Sequence, residues 1–305
     1  MLKDKILNNE PGILLYGITP PRMNLPNSEY ERIGKIHKQR FEEIGVDGII
    51  IYDLQDEKSR NSSERIFDFV QTLDPQKYYE DFLHTSIEPI IYKAVSKYDT
   101  ATFYDFLQKE KDYIYVFVGS SSSKVVPKLT LDEAYRLTKN SNFNSVLGGI
   151  CIPERHVIKK DEHIRMIEKS KNGCKFFISQ AIYNVENAKK FIDDYAQTNF
   201  ANIPIIFTFI PCGSKKTLDF IKWLGIFVED RFEKKLIDSN DMIQTSINLS
   251  LEFFNFIYKY SLSKGISVGA NVESISKQRD EIQASLTLLD EIKKIIKRAS
   301  YSYRS

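Results

Sequence analysis

The chain has 305 residues, a length that one α/β barrel fills, and its 43 basic and 41 acidic residues leave a net charge of +2. That near-balance creates no field able to gather nucleic acid or an anionic membrane, so a small molecule is the expected partner. No uncharged run approaches the roughly 18 residues a membrane helix needs, and the three cysteines have no metal-ligand spacing, so a cytoplasmic chain with reduced core thiols and no metal is expected.

Strand-like and helix-like segments alternate from the start. Residues 12–18 form an apolar run ended by Pro20 and Pro21, because proline lacks the donor a ladder needs. Ser28 and Glu31 suggest a capping box for a helix reaching Glu43, with Gly45 as its stop. Residues 48–52 are the second strand, followed by an acidic loop with Asp53, Gln55, Asp56 and Glu57. The next segment has mixed periodicity and a proline at Pro75. Residues 88–93 and 113–118 are strands three and four, with a helix over 100–109 between them, and strand four runs into Gly119 and Ser120 to Ser123. Thr130 with Glu133 caps the following helix.

Residues 145–180 hold the clearest unit. An apolar strand ends in Pro153-Glu154-Arg155-His156, a helix covers 161–171, and a second apolar strand over 175–179 delivers Gln180. Two strands nearly free of polar residues and joined by a helix are expected to run parallel, covered on both faces. A helix over 184–195, a strand over 204–210, helices over 215–224 and 241–263, a strand over 266–270 and a final helix over 276–297 complete the pattern.

Eight alternating units with no dividing linker predict a single-domain (β/α)8 barrel over residues 1–305, closed by strand eight against strand one. An open doubly wound sheet is the alternative, but Pro20-Pro21 stands where its Gly-rich fingerprint belongs. Barrel chemistry sits at the C-terminal ends of the strands, which nominates Thr19, Asp53, Gln55, Glu57, Lys93, Ser120 to Ser123, Glu154, His156, Gln180, Pro211 and Glu273. His37, His84 and His163 lie in helical or connecting segments and receive no role.

Several of these loops share order and spacing with one family. Tyr16-Gly17-Ile18-Thr19-Pro20-Pro21 resembles the aromatic-Glu-x-x-Pro-Pro motif of the methylenetetrahydrofolate reductase family. Ile152-Pro153-Glu154-Arg155-His156 is similar to its Tyr-Pro-Glu-x-His, residues 172–180 to its Ala-Gly-Ala-x-x-x-Ile-Thr-Gln, and Val185-Glu186 to its Asp-Val-Glu. The resemblance implies a cytoplasmic oxidoreductase of one-carbon and methionine metabolism, in which NAD(P)H reduces methylenetetrahydrofolate to methyltetrahydrofolate through FAD. It places the pterin at Gln180; strand-end position adds Thr19 and Gln55 for folate, and Glu154 and His156, with Lys169 and the candidate phosphate nest at Gly119, Ser120 and Ser121, for a flavin. It leaves homo-oligomerisation open.

Two departures stand out. Gly17 occupies the place of the family's catalytic glutamate, and Val118-Gly119-Ser120 that of its Arg-Gly-Asp. FAD binding is therefore expected to be weaker than in other members or absent, with any phosphate contact on the backbone of residues 119–123. The missing acid is expected at a strand next to the first: Glu273 as general acid, Asp53 second. A glutamate capping the last helix is the plain alternative for Glu273, as are solvated loops for Glu154, His156 and the acidic group at 53–57, and a solvent-facing strand end for Gln180. Two further functions compete with reduction, namely a pterin- or flavin-binding barrel without turnover and a lyase using Lys93 as a Schiff base, although the polar run 96–100 suggests that this lysine is exposed.

Overall fold

The structure, a computed structural model, describes residues 1–56, 64–120, 126–200 and 202–302. Glu57 and Ser121 to Ser123 lie outside the described residues. The chain opens with helix α1 (Leu2–Leu7), then runs β1 (Leu14–Ile18), α2 (Asn27–Ile44), β2 (Gly48–Ile51), α3 (Pro75–Tyr78), β3 (Glu88–Ala94), α4 (Thr100–Gln108), β4 (Ile114–Val118) and α5 (Leu131–Lys139). The second half continues through β5 (Val146–Cys151), α6 (Pro153–Lys159), α7 (Glu162–Lys171), β6 (Cys174–Ala181), α8 (Val185–Ala196) and β7 (Ile205–Phe209). It ends with α9 (Lys215–Trp223), α10 (Asp230–Ile237), α11 (Met242–Ser263), β8 (Val268–Glu273) and α12 (Arg279–Ser302).

All eight strands are parallel and form one closed sheet, β8 pairing with β1 through Leu14 and Ala270. This is the (β/α)8 barrel expected from the strand count. Its strands are apolar almost throughout because both faces are covered. One set of side chains, including Leu15, Ile50, Ile90, Ile114, Val116, Phe176, Ile178 and Ile206, fills the interior. The alternate set, including Ile49, Ile91, Tyr115, Phe117, Phe177, Phe207 and Val272, packs under the helices. The three cysteines are buried, and burial pushes the Cys174 thiol up to about 11 and Cys212 up to about 12.

The floor of the barrel is closed by α1, which the charged start of the sequence did not suggest. Leu2 and Ile6, one helical turn apart, join the interior cluster. A Cβ on Gly48 would lie 2.3 Å from Leu2 Cδ2, so a side chain there would push the plug aside. Lys5 is fastened to Asp47 at 2.7 Å, and the other Asp47 oxygen accepts from Leu14 N at 2.9 Å.

Several local expectations change. Thr130 and Glu133 form the expected capping box, whereas α2 begins one residue before Ser28, with Pro26 at its cap position and no side-chain cap. Pro75 starts α3 rather than breaking a helix, because a first-turn proline loses no intrahelical bond, and the Asp74 carboxylate accepts from Gln76 N and Lys77 N. The polar cluster after β5 is helix α6, again with proline in its first turn. β8 lies later than expected and includes Glu273.

Candidate functional site at the barrel mouth

Alternation along the strands turns every second side chain inward. Beyond the apolar interior this brings Gly17 of β1, Tyr52 after β2, Tyr92 of β3, Gln180 of β6, Thr208 of β7, and Asn271 and Glu273 of β8 to the C-terminal end. The register sets Gly17 beside Glu273 on one side and Ile50 on the other. A Cβ at position 17 would lie 2.8 Å from Tyr52 Cε2, 2.9 Å from its hydroxyl and 3.0 Å from Glu273 Cβ. Glycine is therefore what lets the Tyr52 ring and Glu273 share this corner.

The polar groups here are linked. Asn271 Nδ2 donates to the Tyr52 hydroxyl at 3.0 Å and to Thr208 Oγ1 at 3.2 Å, while Asn271 Oδ1 is buried without a partner. Tyr52 meets Tyr92 edge to face, with ring centroids 4.9 Å apart. Burial pushes the Glu273 carboxyl up to about 7, against the opposing pull of a hydrogen bond from Tyr52. Burial and the nearby Glu273 likewise hold the Tyr52 and Tyr92 phenols well above their usual range. A carboxyl that titrates near neutrality can give or take a proton at working pH.

Of the two residues expected to replace the missing acid, only Glu273 flanks Gly17. Asp53 accepts from Ala94 N at 2.8 Å and pairs with Lys97, which makes it a brace between the ends of β2 and β3. Gln55 is braced too: its Nε2 donates to Gly119 O at 3.1 Å and its Oε1 accepts from Ser96 Oγ at 2.6 Å. Thr19 is half-buried just past β1, before the buried Pro20. Gln180 Nε2 donates to Leu224 O at 3.2 Å, so it is tied to the end of α9 rather than facing solvent.

The residues expected to hold flavin do not converge. His156 is buried on α6, its Nε2 lying 2.9 Å from Asp194 Oδ2 of α8 and its ring edge-on to Phe191, so it belongs to the helical layer and not to a solvated loop. Lys169 of α7 packs along Gly149, and its ammonium donates to Ile150 O at 2.5 Å. Glu154 is buried with neither carboxyl oxygen hydrogen-bonded, and burial pushes it up to about 8. A Cβ on Gly119 would meet Leu131 at 3.4 Å, an ordinary contact, so this glycine cradles no missing group, and Ser120 is exposed. His156 and Lys169 are thus committed elsewhere and do not form a cationic cradle for a flavin pyrophosphate.

Lys93, taken as exposed from its sequence neighbours, is 4 % exposed and turned to the outer face of β3. Its Nζ lies 2.9 Å from Asp74 Oδ2 and 5.2 Å from the centroid of Phe106. The negative charges of Asp74 and Asp53 and the Tyr98 phenol raise its pKa despite burial, which favours the ammonium over a nucleophilic amine. A Schiff base at the mouth is thereby excluded on direction and protonation alike.

Sequence reasoning missed Tyr52, Tyr92, Thr208 and Asn271 as residues of the site. Period-two counting was the available signal, since Tyr52, Tyr92 and Thr208 each lie two residues from an inward isoleucine, and Asn271 alternates with the outward Ala270 and Val272.

A parallel barrel with a titratable carboxyl, two phenols and amides gathered at the strand C-terminal ends is the architecture of a small-molecule site in a (β/α)8 protein. The family model for methylenetetrahydrofolate reductase matches residues 143–266. An uncharacterized protein from Clostridium thermocellum that binds two copies of 5-methyl-5,6,7,8-tetrahydrofolic acid is 42% identical, with a TM-score of 0.85 over 97% of this chain and 100% of that one. The chain belongs to the methylenetetrahydrofolate reductase family. A GH10 endoxylanase retrieved from a sugarcane soil metagenome shares the fold alone, at 8% identity and a TM-score of 0.50 over 94% of this chain and 99% of that one. None of the curated proteins matches the sequence. No helix among the described residues is long and apolar enough to cross a membrane.

Proposed function

We propose that the barrel mouth binds a reduced folate and that Glu273 is the acid that opens its one-carbon bridge, in a reaction of the methylenetetrahydrofolate reductase type. The observation carrying this reading is the Glu273 carboxyl, poised at about 7 beside the side-chain-free Gly17. Opening the bridge breaks the bond between the methylene carbon and N10 and leaves an N5 iminium. The departing N10 takes the proton that Glu273 gives up. Hydride from NAD(P)H then reduces the iminium to a methyl group as the nicotinamide is oxidised.

The surrounding residues fit these roles. Tyr52 donates toward Glu273 and is itself oriented by Asn271, so the carboxyl is held in place. Asn271 Oδ1 is the acceptor in this group that still lacks a donor, which a pterin N–H would supply. Binding of folate by the Clostridium thermocellum relative supports the substrate class. His156 and Lys169, which the resemblance would turn toward FAD, are engaged elsewhere. That observation favours a second reading, folate binding without reduction.

One experiment separates the two. The chain has a single tryptophan, Trp223, adjacent to Leu224, whose carbonyl holds Gln180, so its fluorescence reports on ligand at the mouth. Wild type and Glu273→Gln are titrated with 5-methyltetrahydrofolate, then assayed with methylenetetrahydrofolate and NAD(P)H, with and without added FAD. Binding by both proteins with turnover lowered ~100-fold or more in the variant supports the acid. Equal turnover in the variant sinks it, and binding without turnover in wild type selects the second reading.

A further inference from the structure

Away from the mouth, α6, α7 and α8 pack on one another and each contributes one side chain to a compact group: His156, His163 and Asp194. One ligand atom from each lies within 4.8 Å of the others. We infer that these residues form a site for one divalent transition-metal ion, with zinc the best match.

The chemistry of the donors narrows the ion. Two imidazoles and a carboxylate suit zinc and its first-row neighbours, whereas magnesium and calcium take oxygen donors. A tetrahedral ion with bonds of about 2.0 to 2.1 Å sets its ligand atoms roughly 3.3 Å apart. His156 Nε2 and Asp194 Oδ2, at 2.9 Å, are already closer than that, and the third ligand, within 4.8 Å of both, needs to move in by up to about 1.5 Å. The rings of His156 and His163 stand edge to face with centroids 5.2 Å apart.

One sign of an absent partner lies here: Nδ1 of His163 is buried without a hydrogen bond, in a protein whose buried polar atoms are otherwise largely paired. His163 and Asp194 are partly exposed, so an ion can enter from solvent and a water can complete its shell. Such an ion would staple the short α6 to the helices on either side. This inference does not rest on the folate reading.

The test uses protein stripped with EDTA and titrated calorimetrically with Zn2+, with Mg2+ as control, and with Co2+ for its visible spectrum. Only His37 and His84 remain as other imidazoles, so background is low. The expected result is one Zn2+ per chain, intense tetrahedral Co2+ bands, and affinity weakened at least ~100-fold in His163→Ala and in Asp194→Asn while His84→Ala binds normally. Both test residues are partly exposed, and far-UV circular dichroism checks that the variants fold. Absence of saturable Zn2+ binding and of Co2+ bands in wild type, or equal binding in both folded variants, overturns the site.

Discussion

Glu273 stands across the β1–β8 seam from Gly17, with its Cβ only 3.0 Å from where a side chain on residue 17 would begin. The two positions are coupled, because a side chain at one displaces the Tyr52 ring and Glu273 together. Gly17→Ala is therefore expected to destabilise the protein by about 1 to 3 kcal/mol through overpacking. Denaturant midpoints check this, and wild-type stability in the variant would show that the corner is loose.

The raised carboxyls make stability fall with pH. Glu154 is pushed from 4.5 up to about 8, so folding favours its neutral form. Its contribution is fully present below about 4.5 and disappears as pH rises through about 8. Glu154→Gln keeps the neutral shape without the titration. The variant is expected to match wild type at pH 5 and exceed it by roughly 2 to 4 kcal/mol at pH 9. Parallel urea curves with pH would contradict it.

Activity is expected to follow the descending limb of a general acid. Glu273 donates only while protonated, so with a carboxyl at about 7 turnover falls as pH rises through that value. A rate that climbs steadily from pH 6 to pH 8 would assign the proton to another group.

Lys93 and Asp74 should respond unequally to substitution. Asp74→Ala strands a buried ammonium and also removes the cap of α3, at an expected cost of about 2 to 4 kcal/mol. Lys93→Met removes the buried charge itself and keeps the contact with Phe106, so it should cost less. Thermal melts of both variants decide, and the reverse order would refute the pairing as described.

The barrel was legible because apolar runs such as 48–52 and 204–210 are covered on both faces, leaving no polar side to confuse the pattern. The Thr130–Glu133 box was legible because it is local. What escaped depends on distant partners. Asp53 looks free in its acidic loop, yet Ala94 N and Lys97 hold it. Tyr52 and Asn271 are 219 residues apart, so nothing local announces their hydrogen bond. His156 carries the family's motif, but its use is set by Asp194, 38 residues downstream. Glu273 was found through closure of the barrel, which fixes that β8 borders β1 and thus supplies a neighbour for Gly17.

Because side chains such as Leu15, Ile50 and Ile206 fill the interior, with Leu2 and Ile6 against them at the floor, the inward side chains of the top layer can be approached from one end only. A folate and a nicotinamide sharing this dead-end vessel would meet a traffic constraint: whichever seats deeper must arrive first and leave last, unless each departs before the other enters. Initial-rate patterns for two substrates would then show a compulsory order or a ping-pong form rather than random entry, an order imposed by the packed interior beneath the chemistry.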